Sequence, residues 1–344
     1  MGRMKEVTQT IREWDAAGLQ NAEAILVGTQ HSSPRQPGAR LVVNENGEVA
    51  GAVSMGCVES DLREHLLALM RGEGEPRRVH YGAAFAEALE VGLSCGGEID
   101  VWIRVHDREA AAWQTVQALE PDGRMILLTK LDPSSAQFVW RPGDVPPAED
   151  LAEALAALWT RGGSRLLSDE DAPYFAEVVA PDPRLLIVGA SPIASSLCEL
   201  ASRAGFRVSI VDPRRDFARP EIFPSAEQVV HAWPGKGLVT AGMDEHSYVA
   251  VVAHDAKLDV PALTAALTAN CRYIGLLGSR GTQADRLERL QKAGFDPDQL
   301  DRIHGPIGLK AIGALEPAEI AVSILAEIIM ARRGVTLSPS KGLS

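Results

Sequence analysis

Apolar residues fall along the second half of this chain in two alternating rhythms. Short unbroken runs, Leu185 to Val188, Val208 to Val211, Tyr248 to Ala253 and Tyr273 to Leu277, are separated by stretches in which apolar positions return every three or four residues. Runs so short and wholly apolar suit parallel strands buried on both faces, and the stretches between them suit amphipathic helices, such as Ile193 to Ala204 and the one through Leu263 and Leu267. The first run ends in Gly189-Ala190-Ser191, its helix stops at Gly205, and the second run closes on Asp212. Strand, small-residue turn, helix, strand and acid is the order of the dinucleotide-binding βαβ unit. There phosphate oxygens meet the free N–H groups of a helix N-terminus and the acid holds a ribose hydroxyl. Positions 189 and 212 lie 23 apart, close to the roughly 20 expected between first glycine and acid. Gly189 and Ala194 fill the first and third places of the G-x-G-x-x-G/A pattern, but Ser191 fills the second. The pattern predicts a Rossmann-like, doubly wound parallel sheet; the plainer alternative is a ligand-free scaffold of that kind.

The strand ends carry the candidate chemistry of this half. His254 and Asp255 follow one apolar run and Ser279 and Arg280 follow another, at the edge where open α/β sheets bind ligands, and a guanidinium there suits phosphate. Asp255 also reads as the cap of the helix that follows. Arg302 to Leu309 reads as a glycine- and proline-punctuated loop before a final helix opening at Glu316-Pro317, with Ile320, Ile324 and Ile328 as a core-facing stripe.

The first half is patterned differently. Val7, Ile11 and Trp14 predict an opening helix over 5–17, stopped at Gly18; Ala24 to Val27 predicts a strand, and Gly28 to Gly38 a loop. A hairpin follows, Leu41 to Val43 and Val49 to Val53, turned at Asn46-Gly47. Cys57 then lies just before a helix through Leu62, Leu66, Leu67 and Met70, where the helix dipole favours thiolate; a small buried filler at the junction is the plainer reading. Cys95 stands among Gly92, Gly96 and Gly97, before a strand Ile99 to Val105, where the backbone can approach a ligand closely or simply turn. From 107 to about 180 helix-like and strand-like pieces alternate, such as Met125 to Leu128 and Leu151 to Leu158, with no recognisable chemistry. Pro181-Asp182-Pro183 reads as a bridge. The expected organisation is an N-terminal α+β domain over 1–180, a Rossmann-like domain over 181–335 and a fraying tail, 336–344.

Composition narrows the function classes. With 344 residues, 46% hydrophobic and 23% charged, the chain is an ordinary globular one long enough for two domains. A net charge of −12 argues against non-specific nucleic-acid binding, so an anionic ligand needs a local site. No run of about 18 apolar residues exists and the first residues are too polar for a signal peptide, so a cytoplasmic protein with no membrane insertion is expected. Four cysteines, Cys57, Cys95, Cys198 and Cys271, form no C-x-x-C pair and read as thiols. His65, His80 and His231 read as structural or surface residues.

Taken together the motifs resemble the XdhC/CoxI family, the maturation factors of xanthine dehydrogenase and carbon monoxide dehydrogenase. The resemblance runs through Ser33-Pro34-Arg35, Pro37-Gly38-Ala39, Gly56-Cys57-Val58-Glu59 and Cys95-Gly96-Gly97-Glu98-Ile99-Asp100. It continues through Ile187 to Ala190, Val211-Asp212-Pro213-Arg214, His254-Asp255, Leu277 to Arg280, Pro306 to Leu309 and Glu319 to Glu327. It implies a molybdenum-cofactor chaperone, a carrier more than a catalyst, that binds molybdopterin, protects it while its sulfido ligand is installed, and delivers it to a molybdenum hydroxylase apoenzyme. A cysteine desulfurase as second partner and a homodimer are implied by analogy, with the ligand in a cleft between the halves. The residues it points to are Arg35, Cys57, Glu59, Cys95, Gly96, Gly97, Gly189, Ser191, Asp212, His254, Asp255, Ser279 and Arg280, with Cys57 and Cys95 as contacts to molybdenum or its sulfido ligand.

Departures from the family pattern cluster in the second half: Pro192 stands where a histidine is common, Gly281 and Gln283 replace an arginine and a histidine, and Lys310 replaces an aspartate. Two other classes of function remain open at this point. One is an NAD(P)-dependent oxidoreductase using Gly189 and Asp212 for the cofactor and His254 as acid or base. The other is a scaffold that only docks a partner enzyme.

Overall fold

The computed structural model describes residues 5–31, 33, 35–56, 58–82, 97–120, 123–167 and 173–335. By its internal contacts the chain divides into two compact units, Met1–Pro181 and Asp182–Ser344.

In the N-terminal unit helix α1 (Lys5–Ala16) is followed by strands β1 (Asn21–Gln30), β2 (Arg40–Asn44) and β3 (Val49–Gly51), helix α2 (Glu59–Met70), and strands β4 (Arg77–Tyr81) and β5 (Glu98–Val105). The strands form an antiparallel sheet in the order β3-β2-β1-β5-β4. Gly47 takes φ +80° in the β2–β3 turn, the conformation its Asn-Gly pair predicts. Alternation along the strands separates two apolar layers. Leu26, Leu41 and Ile103 pack on one side with Leu62, Leu66 and Leu69 of α2, while Ile25, Val27 and Trp102 face the other way, toward Leu131 and Phe175.

Those last two residues belong to the region where the hydrophobic pattern predicts only alternating pieces. It contains helix α3 (Ala111–Gln117), strands β6 (Met125–Lys130) and β7 (Gln137–Trp140), helix α4 (Ala152–Arg161), and strands β8 (Ser164–Leu167) and β9 (Tyr174–Val179). Its strands make a second antiparallel sheet, β7-β6-β9-β8. A charged cluster ties the two sheets together. Arg40, fully buried, donates from Nε to Glu23 Oε2 at 2.9 Å and from its terminal nitrogens to both oxygens of Glu177 on β9, while Arg104 pairs with Glu23 Oε1 at 3.0 Å.

The C-terminal unit carries the predicted α/β rhythm. Its elements are β10 (Arg184–Val188), α5 (Pro192–Arg203), β11 (Arg207–Val211), β12 (Gln228–Val230), α6 (Pro234–Thr240), β13 (Tyr248–Val251), α7 (Ala256–Thr268), β14 (Tyr273–Leu276), α8 (Arg280–Lys292), α9 (Pro297–Leu300), β15 (Ile303–His304) and α10 (Pro317–Arg333). All six strands are parallel in the order β12-β11-β10-β13-β14-β15, the Rossmann-like doubly wound arrangement. Leu185 and Ile187 point to a layer with Leu197, Ile324 and Ile328; Leu186 and Val188 point to the opposite layer with Leu238, Leu263 and Leu290. Two strands escape the periodicity. β12 is three residues long, and β15, inside the stretch predicted as a loop, is two, so neither shows a period; pairing with β11 and β14 defines them.

The order of strands reverses between β10 and β13, and the crevice outside their carboxyl ends is where such sheets bind ligands.

Candidate functional site

The carboxyl edge of the parallel sheet gathers seven of the predicted residues: Gly189 and Ser191 after β10, Asp212 after β11, His254 and Asp255 after β13, and Ser279 and Arg280 after β14. Gly189 is demanded by its surroundings, because its φ is +105° and a Cβ there would lie 2.6 Å from Ala253 Cα. The turn therefore passes against the backbone of β13's extension with no room for a side chain.

Several groups at this edge are already engaged within the protein. Ser191 caps α5, its hydroxyl accepting from Ala194 N–H at 3.2 Å. Pro192 in the first helical position has no N–H, so this N-terminus presents fewer donors to a phosphate than the motif predicts. Asp255 caps α7 by accepting from Lys257 N–H at 2.9 Å, which is the plainer of its two sequence readings. Ser279 caps α8 through Thr282 N–H at 3.2 Å. His254 is exposed and takes φ +58°, a backbone state uncommon outside glycine, and Arg280 is exposed at the first turn of α8.

Asp212 sits at the end of β11, fully buried. Its Oδ2 accepts from Ala190 N–H and from an Arg214 terminal nitrogen, each at 2.7 Å; its Oδ1 accepts from Arg214 N–H at 2.8 Å and Arg214 Nε at 2.9 Å. Burial alone would raise this carboxyl's pKa, but the hydrogen bonds from Arg214 and from the Ala190 backbone outweigh it and hold it below the usual aspartate range. The same contact holds the Arg214 guanidinium above its ordinary value.

Sequence reasoning singles out neither Arg214 as a site residue nor Asp259. Arg214 is visible only as part of the Asp-Pro-Arg motif; an arginine two residues after the acid that closes a strand is the signal. Asp259, one turn into α7, is fully buried; Arg286 Nε donates to its Oδ2 at 3.2 Å, and its Oδ1 has no hydrogen-bond partner among the described residues. Burial pushes this carboxyl up, against the pull of Arg286.

In the N-terminal unit Glu59, the first residue of α2, organises the loop before its own helix. Its carboxylate accepts from Val53 N–H (3.2 Å), Ser54 N–H (2.7 Å), the Ser54 hydroxyl (2.7 Å) and Val58 N–H (3.2 Å). Burial raises its pKa, but the Ser54 hydroxyl and the backbone donors prevail and hold it below the usual range. Arg35 is half-buried, its carbonyl accepting from the Ser33 hydroxyl at 2.8 Å, and Gly97 is buried. Cys57, Cys95 and Gly96 lie outside the described residues. Cys198 and Cys271 are buried free thiols whose pKa values burial pushes up to about 11 and about 12. Among the described residues no group of three or more His, Cys, Asp or Glu side chains is placed to hold a metal ion, and no helix is long and apolar enough to cross a membrane.

Both units match known sequences. Residues 14–82 match the XdhC and CoxI family, and residues 185–328 match the XdhC Rossmann domain. The chain belongs to the XdhC and CoxI family. Among proteins similar to this XdhC and CoxI chain is a probable xanthine dehydrogenase subunit of Bacillus subtilis (strain 168), 29% identical over 323 residues, spanning 91% of this chain and 94% of that one. The molybdenum cofactor insertion chaperone PaoD of Escherichia coli (strain K12) is 27% identical over 307 residues, spanning 89% of this chain and 82% of its own length. A crystal structure of a xanthine dehydrogenase from Bacillus halodurans superposes with a TM-score of 0.68 at 25% identity, covering 97% of this XdhC and CoxI chain and 98% of that one.

Proposed function

We propose that this XdhC and CoxI member is a molybdenum-cofactor chaperone that binds the pterin cofactor, shelters it, and delivers it to an apoenzyme of the xanthine dehydrogenase type. The observation that carries this reading is the similarity to a molybdenum cofactor insertion chaperone along 89% of the chain, with family matches in both units.

The donor set at the sheet edge fits such a cargo. Arg214 and Arg280 offer guanidinium forks, Ser279 a hydroxyl, and Gly189 a turn with no side chain to obstruct a phosphate-bearing ligand. The bound group itself supplies the redox chemistry, and only after transfer; this chain's residues bind, orient and exclude water. In the N-terminal unit Arg35, Cys57, Glu59, Cys95, Gly96 and Gly97 are further proposed contacts to the cargo, with the two thiols as soft donors toward the molybdenum or its sulfido ligand. Sulfuration during the bound state, a cysteine desulfurase as second partner, and a homodimer belong to the same reading.

The test is retention. Purified protein mixed anaerobically with molybdenum cofactor should carry it through a desalting column, and Cys57→Ala or Cys95→Ala should release it. Loss of cofactor from the unmutated protein would overturn the reading; unchanged retention in both variants would remove the thiols from the site.

A further inference from the structure

A carboxylate has about four lone-pair sites with which to accept hydrogen bonds. Asp212 uses four: Ala190 N–H, Arg214 N–H, Arg214 Nε and an Arg214 terminal nitrogen, at 2.7 to 2.9 Å, with no exposed surface. The residue whose position in a βαβ unit would hold a ribose diol therefore has nothing left to offer one. To take a ribose it would have to release Arg214 and abandon a bidentate ion pair.

Arg214 is the group left facing outward. Nε and one N–H of a terminal nitrogen are committed to Asp212, so three of its five N–H donors make no hydrogen bond among the described residues. Its side chain is 45% exposed, and its guanidinium lies 4.7 Å from the ring centroid of Phe217, itself 53% exposed. Carboxylate on one edge and phenyl on one face fix the plane of the fork, leaving its remaining edge open. Asp255 is the other acid whose charge reaches Arg214, and it is occupied in capping α7.

We infer that Arg214 is a ligand-binding, specificity-determining residue: held in place by Asp212, it recognises a phosphate ester at the crevice, and the crevice does not recognise ribose. Resting on the proposed function, this assigns Arg214 to the phosphate group of the pterin cofactor, with no affinity added by the ribose of a nucleotide-extended form.

The full-length protein is titrated with ADP, with 2′,3′-dideoxy-ADP and with inorganic pyrophosphate. Unmutated protein should bind the two nucleotides within about twofold of each other, whereas a site that hydrogen-bonds the ribose would lose at least about tenfold on removal of the hydroxyls. Arg214→Ala should weaken pyrophosphate binding at least about tenfold and, by freeing Asp212, open a preference for ADP over its dideoxy analogue. Arg214→Lys, which keeps the charge but not the fork, should weaken pyrophosphate several-fold and serves where the alanine variant does not fold. A tenfold ribose preference in the unmutated protein, absence of ADP binding, or unchanged pyrophosphate affinity in a folded variant overturns the inference. If those results hold while molybdenum cofactor is not retained, the chaperone reading fails and this one stands. If nucleotide-extended cofactor is retained at least about tenfold more tightly than the phosphate-terminated form, the absence of ribose recognition falls.

Discussion

Replacing Arg40 by methionine removes the cation that bridges Glu23 on β1 and Glu177 on β9. Both carboxylates are about 95% buried and would stay so, with Arg104 left as the ion-pair partner of Glu23 and His106 nearby. Removing one member of a buried, hydrogen-bonded charge cluster costs about 3–5 kcal/mol, because the surviving charges are stranded away from water. Five of the six tryptophans, Trp14, Trp102, Trp113, Trp140 and Trp159, lie in the N-terminal unit, so urea unfolding followed by tryptophan fluorescence reports mainly on it. A second variant, Arg40→Met with Glu177→Met, replaces the interacting partners by apolar side chains and should recover stability to within about 2 kcal/mol of the original.

The pH dependence has a definite sign. Burial would raise the pKa of Glu23, but Arg40, Arg104 and His106 bring it down from 4.5 to about 2. A folded-state pKa below the unfolded one means that its stabilisation is complete above 4.5 and is lost as pH falls through about 2. In Arg40→Met that support is reduced and Glu23 takes up its proton at higher pH than in the unmutated protein, so the gap between the two should be widest near neutrality and narrow as pH falls. A loss under about 1 kcal/mol near pH 7, or a gap that stays constant down to about pH 3, would refute the reasoning.

Other perturbations test the two loci directly. Gly189→Ala puts a Cβ 2.6 Å from Ala253 Cα at φ +105°, so strain and overpacking together should lower stability by about 2–5 kcal/mol in thermal melts; a neutral effect would mean that the turn is not so confined. Glu59→Ala leaves the Val53, Ser54 and Val58 N–H groups without their acceptor and should cost about 2 kcal/mol. Its carboxyl is held below the usual range, so that contribution should fade only as pH falls through the folded-state value, read from acid titrations of the melting temperature. Cys198 and Cys271, buried with pKa values near 11 and 12, should resist alkylation in the native protein at about pH 8 and react fully once unfolded; native-state labelling at either, mapped by mass spectrometry, would contradict their burial.

What could be read from the linear chain followed local physics. A four-residue apolar run ending in glycine, such as Leu185 to Val188 before Gly189, announces a strand buried on both faces and a tight turn, because both depend only on neighbours in sequence. The Asn46-Gly47 hairpin and the Glu316-Pro317 helix start were legible for the same reason. The position of Asp212 was legible too, through its spacing from Gly189; its occupation by Arg214 and Ala190 was not, since lone pairs are filled only once side chains have rotamers and neighbours.

The strands β12 and β15 and the charged tie between the N-terminal sheets were decided by tertiary structure alone. Two or three residues carry no period, so pairing with β11 and β14 is what makes them strands. Arg40 meets Glu177 across 137 residues of sequence. A charged residue in a strand pattern ordinarily signals a solvated face, and only the approach of a second sheet turns that face inward and gives the arginine its partners.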